Sequence, residues 1–273
     1  MTLPESAAAE ANGMWFEHGL ARIWVEESGD AQGPAVLVLP GLAGSIDELS
    51  AIREQMAAQG MRVIAADLPG SGKSQPQPRS YSPYYHQEDA TAFAALLEEM
   101  DALPAVLIGF SDGGDVALSL ASDFPAHAKG VLVWGAMGSI DDPDGQVAPF
   151  FRNIVDAPSA GGEGFRAYLI ETYGREVARA SMQSVADALE AIVARGGDIS
   201  LSRVEQIQCP VLLVAGDGDQ FVPLTALNEF NARLLNGRVL VVEGGGHALH
   251  VTHPALVADA VHAFLFAIHA YPT

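Results

Sequence analysis

Two rhythms of apolar and polar positions run along this chain. Met14 to Glu27 holds two short strand-like runs around His18-Gly19, the second carrying Ile23, Trp24 and Val25, and predicts an antiparallel hairpin. Ala35 to Leu39 is wholly apolar, the pattern of a strand covered on both faces. Similar short runs at Val63–Ala66, Ala105–Ile108 and Val131–Trp134 predict further buried strands. Helical spacing fills the gaps, over 45–59, 82–100 (Phe93, Leu96, Leu97 and Met100) and about 113–122. Ser45 is the expected N-cap of the first helix. Glu48 completes a capping box with it, and Gly60 follows the helix end. Strand alternating with helix predicts a parallel sheet with helices on both faces and right-handed crossovers. Ligands are then expected at the carboxyl ends of the strands.

The rhythm breaks after Trp134. Residues 139–161 are rich in Asp, Pro and Gly and show no clear strand. Residues 164–194 read as two or three helices, the clearest over 175–194. No apolar strand run returns until Val211–Ala215. Alternation then resumes with a helix over 224–235, a strand at Val239–Val242 and a helix over 254–267. The expected architecture is α/β, with a mostly parallel central sheet. Its core spans 1–137 and 205–273, interrupted by a helical cap, or lid, over 138–204. No internal repeat is visible.

Composition narrows the function. A chain of 273 residues, 49% apolar, suits one large domain with a full core. Fourteen Lys and Arg against 34 Asp and Glu leave a net charge of -20. That balance argues against nucleic acid and against an anionic membrane surface, both of which demand a basic face. The plain reading is that it serves solubility; the sharper one is that it helps gather cationic substrates. A small-molecule substrate is the expected partner. The single cysteine, Cys209, excludes an internal disulfide and reads as a buried thiol beside Pro210. The N-terminal MTLPESAAAEANG lacks a basic flank and an apolar run, unlike a signal peptide. The run from Leu256 to Ile268 is broken by Asp259 and His262 and is too short to span a bilayer. A cytoplasmic protein, monomeric or a small homo-oligomer, is expected.

The chemistry concentrates in Gly109-Phe110-Ser111-Asp112-Gly113, a G-x-S-x-G set between a buried strand and a helix. Glycines flank the serine because a Cβ there would clash within a sharp strand-to-helix turn. Such a turn lifts the Ser111 hydroxyl above the sheet. A serine hydroxyl is a weak nucleophile at neutral pH, so it needs a base, and the base needs an orienting acid. In this arrangement the chain order is serine, acid, histidine. The acid lies after Val211–Ala215, where Asp217 and Asp219 are both candidates. Asp219 is favoured because it lies further into the loop and precedes the apolar anchor Phe221-Val222-Pro223. The base is His247, directly after Gly244-Gly245-Gly246 at a strand's carboxyl end. His250 and His253 lie close enough in sequence to shape the same pocket. The remaining histidines, His86 among them, read as solvated or half-buried.

The loop Pro40-Gly41-Leu42-Ala43-Gly44-Ser45 follows a buried strand and predicts one oxyanion donor, the Leu42 N–H. The second is the N–H of Asp112, the residue after the nucleophile. Asp67 to Ser74 contains G-K-S but is no phosphate loop. Asp67 stands where that motif needs glycine, and Gln75-Pro76-Gln77-Pro78 cannot open a helix. No metal or organic cofactor is needed for the chemistry so far.

Asp112 stands out. At about 6 Å and an effective dielectric of about 20, a carboxylate opposes a forming oxyanion by roughly 2.8 kcal/mol. That is about a hundredfold in rate. Either Asp112 binds a positive group on the substrate, or its side chain turns away to cap the helix that starts there.

Taken together, LPG-LAGS, DLPGSGKS, GFSDGG, VLVWGA, CPVLLVAGDGDQFVP and GGGHALH resemble the valacyclovir hydrolase (biphenyl hydrolase-like) branch of the α/β-hydrolases. The likeness covers about 35–138 and 205–266 and is weakest in the lid. It implies an α/β-hydrolase fold and an esterase of α-amino acid esters; the same triad would also serve a lactonase or carbon–carbon bond hydrolase on a pathway intermediate, or a slow-turnover ligand sensor. Ser111 is then the nucleophile, Asp219 the acid, His247 the base and Asp112 the acceptor of the substrate's α-ammonium group. Two departures stand out. Leu42 replaces a methionine and Phe110 a tryptophan, which alters the shape of the pocket.

Overall fold

The computed structural model describes residues 12–271, apart from 141, 143 and 159–161. The N-terminal stretch read above as unlike a signal peptide lies almost wholly outside the described residues.

Eight strands form one sheet in the order β1-β2-β4-β3-β5-β6-β7-β8. β1 (Asn12–His18) and β2 (Ala21–Gly29) form the hairpin, and β2 also runs antiparallel to β4. From β4 onward the sheet is parallel: β4 (Arg62–Ala66), β3 (Ala35–Leu39), β5 (Ala105–Phe110), β6 (Ala128–Trp134), β7 (Val211–Gly216) and β8 (Gly237–Val242). β3 and β5, at the centre, are apolar at every position because both faces are covered. Leu37, Leu39, Leu107 and Val133 join one apolar cluster with α2 (Tyr85–Glu99), α3 (Asp112–Asp123) and α7 (Leu224–Arg233). Val36, Val38, Ile108 and Trp134 join the other, with α1 (Ser50–Ala58) and α9 (Pro254–Ala267). A one-turn helix, α8 (Leu249–Thr252), precedes α9.

β3 lies between β4 and β5, so successive crossovers leave it in opposite directions. Such a switch point opens a crevice at the carboxyl ends of the strands. The loops after β3 and β5 meet there, joined by those after β6, β7 and β8.

Between β6 and β7 the chain forms α4 (Val147–Asn153), α5 (Glu163–Tyr173) and α6 (Arg175–Ala194). These helices share a third apolar cluster built on Ile154, Leu169, Met182, Val185 and Leu189. It closes over Ala43, Tyr81 and Tyr85 of the sheet-bearing part. α4 falls within the Asp-, Pro- and Gly-rich stretch, for which the sequence predicts no element. Its roughly two turns pack against α6 through Val147, Phe150 and Phe151.

Two local expectations fail. The helix predicted over 45–59 divides into a 3-10 turn over 46–49 and α1. Ser45 makes no side-chain cap, and Glu48 does not reach back to it. The Glu48 carboxylate instead accepts the Gly41 N–H at 2.8 Å, a longer-range bond that wins over the local box. The helix predicted from Ser82 starts at Tyr85, because Ser82 and Pro83 form a turn with the Ser82 hydroxyl accepting the Tyr84 N–H. Among the described residues, no helix is long and apolar enough to cross a membrane.

Candidate active site

β5 ends on Phe110, and Ser111 turns the chain into α3 with φ 51° and ψ −123°. A positive φ is costly for serine and persists only where its surroundings enforce it. Here the glycines make the turn possible. A Cβ on Gly109 would stand 2.4 Å from the Gly113 carbonyl oxygen, and one on Gly113 2.3 Å from that of Pro40. The Ser111 N–H donates to the Trp134 carbonyl at 2.9 Å, tying the elbow to β6.

The loop after β8 delivers His247, whose Nε2 lies 3.0 Å from the Ser111 Oγ. Its Nδ1 lies 2.9 Å from Asp219 Oδ2 and 3.1 Å from Oδ1. The Asp219 Oδ1 also accepts the N–H groups of Phe221 (2.8 Å) and Val222 (3.3 Å), which fixes the carboxylate. Asp217, the other candidate, accepts the Gly244 N–H at 2.8 Å and clips the loop after β7 to the loop after β8. It has no contact with His247.

Aromatic rings hold the imidazole. Phe110 lies 5.2 Å from the His247 ring and 4.4 Å from that of His250, and Phe221 meets His247 edge-on at 5.0 Å. Burial pushes His250 down to about 4, helped by the neighbouring His247. His250 is therefore neutral at neutral pH. Trp134 Nε1–H donates to its Nδ1 at 3.1 Å, so the proton of His250 sits on Nε2. His253 does not reach this group and pairs with Thr252 instead.

The loop after β3 closes a turn in which the Gly44 N–H donates to the Gly41 carbonyl at 3.0 Å, with Ala43 at φ 54°. In a trans peptide the C=O and N–H point opposite ways. The Leu42 N–H therefore points away from that bond. The Asp112 N–H is the first of α3 and has no acceptor within the helix. Leu42, Ser111, Asp112 and His247 all line one cavity of about 770 Å³. Phe150, Phe151, Phe165, Tyr168 and Leu189 from the α4–α6 region supply its apolar roof.

Ser111 occupies the N-cap position of α3 without a side-chain cap bond, and the Asp112 carboxylate in the first turn faces α2. Its Oδ2 accepts the Tyr85 hydroxyl at 3.1 Å, and its Oδ1 lies 3.5 Å from the Nε2 of buried His86. Three further residues around the cavity carry titratable groups that the sequence did not point to as part of the site. Asp115, one turn on and on the same helix face, also lines the cavity, and its Oδ1 accepts the N–H groups of Gly138 (2.7 Å) and Met137 (3.3 Å). Glu48 lines it beside Gly41 and Gly44. His86, read as solvated or half-buried, is fully buried, and neither ring nitrogen has a hydrogen-bond partner among the described residues. The spacing of Asp112 and Asp115 on one helix was the available signal. Nothing local marked Glu48 or His86. The cavity thus carries three carboxylates, and among its described lining residues no lysine or arginine.

Protein packed around it raises the Glu48 carboxyl to about 7, against the opposing Gly41 N–H, and nearby Asp67 adds to the rise. Burial also pushes Asp115 from 3.8 to about 6. His86 and the Gly138 N–H oppose that rise, and Asp112 adds to it. The folded state therefore holds the Asp115 proton more tightly than the unfolded chain. That contribution to stability is complete below pH 3.8 and is lost as pH rises through about 6. Asp115→Asn keeps a carbonyl oxygen for Met137 and Gly138 but cannot titrate. Its thermal midpoint is expected to fall less than that of wild type between about pH 4 and about pH 7. Parallel midpoint curves would show that Asp115 ionises without cost.

Comparison with known proteins agrees with this fold. The sequence profile of the alpha/beta hydrolase family matches residues 36–260. The chain is 26% identical over 219 residues to the human protein named serine hydrolase BPHL, covering 80% of this chain and 74% of that one. It is 27% identical over 258 residues to a pimeloyl-[acyl-carrier protein] methyl ester esterase of Xanthomonas oryzae, covering 86% of this chain and 96% of that protein. A solved thermophilic esterase from Thermogutta terrifontis superimposes with a TM-score of 0.71 at 22% identity, over 96% of this chain and all of that one (100%). A profile spanning most of the chain, relatives in the BPHL-like branch and an eight-stranded, mostly parallel sheet lead to one conclusion: the chain belongs to the alpha/beta hydrolase family.

Proposed function

We propose that this hydrolase cleaves carboxylic esters through an acyl-enzyme on Ser111 and prefers esters whose acyl part carries an α-ammonium group. The observation that carries the reading is the continuous chain from Ser111 Oγ to His247 Nε2 (3.0 Å) and from His247 Nδ1 to Asp219 (2.9 Å), opening into the cavity. His247 takes the hydroxyl proton as Ser111 attacks the carbonyl carbon. The Leu42 and Asp112 N–H groups receive the charge that forms on the carbonyl oxygen. His247 then passes the proton to the leaving alcohol, and water repeats the sequence to free the acid. Residues 138–204 act as the lid, and a monomer or small homo-oligomer suffices because no step calls for a second chain.

The preference for a cation rests on the charge of the walls. Asp112, Asp115 and Glu48 border the cavity without a lysine or arginine beside them. Acidic walls with Asp112 beside the nucleophile speak against an anionic carbon–carbon or lactone substrate. Asp112 stands one residue from the nucleophile and spends one oxygen on a single tyrosine hydroxyl, leaving acceptor capacity for an ammonium group. The relationship to serine hydrolase BPHL and to an ester-cleaving relative supports the same reaction class.

The test compares kcat/KM for two esters with one leaving group, with and without an α-ammonium group. Wild type is expected to favour the charged ester by about tenfold or more, equivalent to about 1.4 kcal/mol. Asp112→Ala keeps the backbone N–H and is expected to lose that preference while still cleaving the neutral ester. A wild type indifferent to the charge would refute the ammonium site and leave a general esterase.

A further inference from the structure

The loop that carries the Leu42 N–H is held from two sides by side chains that take no part in the chemistry. On one side, the Glu48 carboxylate accepts the Gly41 N–H at 2.8 Å. On the other, the Tyr168 and Tyr173 hydroxyls both donate to the Ala43 carbonyl, at 3.0 and 2.6 Å. The Tyr173 oxygen also accepts the Gly72 N–H at 2.7 Å, so one hydroxyl joins the loop after β3 to the loop after β4. Both tyrosines stand on α5, within the lid region. The peptide groups just before Gly41 and just after Ala43 are thereby fixed, and Leu42 is the residue between them.

Ala43 needs this support. It sits at φ 54°, a region that costs a non-glycine residue and persists only where contacts over-determine it. The same left-handed residue closes the turn from Gly41 to Gly44, and that turn orients the Leu42 N–H. Space around the carboxylate is tight. A Cβ on Gly44 would lie 2.4 Å from Glu48 Oε1, so the side chain packs directly against the turn it holds.

Building on the esterase reading above, we propose that Glu48, Tyr168 and Tyr173 are positioning residues for the oxyanion donor, and that the Leu42 N–H is aimed at the substrate only while α5 is seated. Lid docking and transition-state stabilisation are then one event. Substrate that props α5 away from Ala43 binds without being turned over. Donors must be held to within a fraction of an ångström of their best position, about 3 Å from the developing charge, so a slackened loop lowers kcat and leaves KM almost unchanged.

The experiment measures the rate at which an uncharged alkyl fluorophosphonate labels Ser111, together with kcat and KM for a neutral ester. Neutral probes keep any effect on ammonium binding out of the readout. In the labelling step Ser111 Oγ bonds to phosphorus, fluoride leaves, and the hydroxyl proton passes to His247. The tetrahedral phosphoryl centre uses the same oxyanion donors. Glu48→Met removes the acceptor for Gly41, and Tyr168→Phe combined with Tyr173→Phe removes both donors to Ala43. Each is expected to slow labelling by about tenfold or more and to lower kcat in proportion, with KM within about threefold. Glu48→Gln retains an acceptor oxygen and is expected to label within about threefold of wild type. If Glu48→Met does not fold, the tyrosine pair decides the question alone. Labelling at the wild-type rate in the tyrosine pair overturns the proposal and leaves the esterase reading standing. So does a Glu48→Gln rate as low as that of Glu48→Met, since charge rather than the hydrogen bond would then matter. A wild type that is not labelled at all overturns both.

Discussion

Ser111→Ala is expected to lower kcat for ester hydrolysis by about 10⁴-fold or more, leaving only the weak residual rate that binding and oxyanion donors give water. Among the described residues, no other hydroxyl forms a hydrogen bond with His247 Nε2, which lies 3.0 Å from Ser111 Oγ. The fold is expected to survive. Alanine keeps the Cβ and the backbone at φ 51°, so the strain of the elbow is neither relieved nor increased. A thermal midpoint close to that of wild type, together with lost turnover, separates chemistry from stability. Residual activity above about one hundredth of wild type would mean that another group attacks the ester.

Asp219→Asn is expected to cost about 10⁴-fold in kcat with little change in the structure. The argument follows from how Asp219 is held. Its Oδ1 accepts the N–H groups of Phe221 and Val222, at 2.8 and 3.3 Å, and only an oxygen serves there. The asparagine carbonyl must therefore take that position. Its NH₂ group then falls where Oδ2 stood, 2.9 Å from His247 Nδ1. Facing a donor, Nδ1 must give up its proton, and the proton moves to Nε2. That tautomer presents N–H to Ser111 and cannot accept the hydroxyl proton. Asp217→Asn, by contrast, is expected to retain kcat within about threefold, because Asp217 only clips one loop to another at Gly244. Comparable losses in the two variants would show that the loop, rather than the carboxylate facing His247, is what matters.

Part of this site was legible before the fold was seen. Ser111, Asp219 and His247 stand in short segments whose glycines are required by sharp turns or close backbone approach, so their spacing carries geometric information. Gly216, for instance, would bring a Cβ to 2.2 Å of the Gly245 carbonyl oxygen, which explains small residues on both loops. The alternation of Ala35–Leu39, Ala105–Phe110 and Ala128–Trp134 with helices likewise reports a sheet covered on both faces. Glu48 was misread because its local partner Ser45 offered a plausible cap, whereas its real partner, Gly41, is reached only once the loop folds over it. His86 and Asp112 lie on different helices, and only tertiary packing brings them to 3.5 Å. Tyr168 and Tyr173 sit in the lid region, far in sequence from Ala43, and no periodicity marks a hydroxyl that reaches across a cavity. Side-chain contacts between distant segments are the part that pattern alone does not carry.

The central claim is that the ester is cleaved through a covalent acyl group on Ser111. The most direct measurement mixes the protein with an α-amino acid ester, quenches with acid within the first turnover and maps the product by peptide mass. The account predicts a single addition equal to the acyl group, on the peptide containing Ser111, and none in Ser111→Ala. Ester turnover with no addition at Ser111, or an addition that persists in Ser111→Ala, would contradict it.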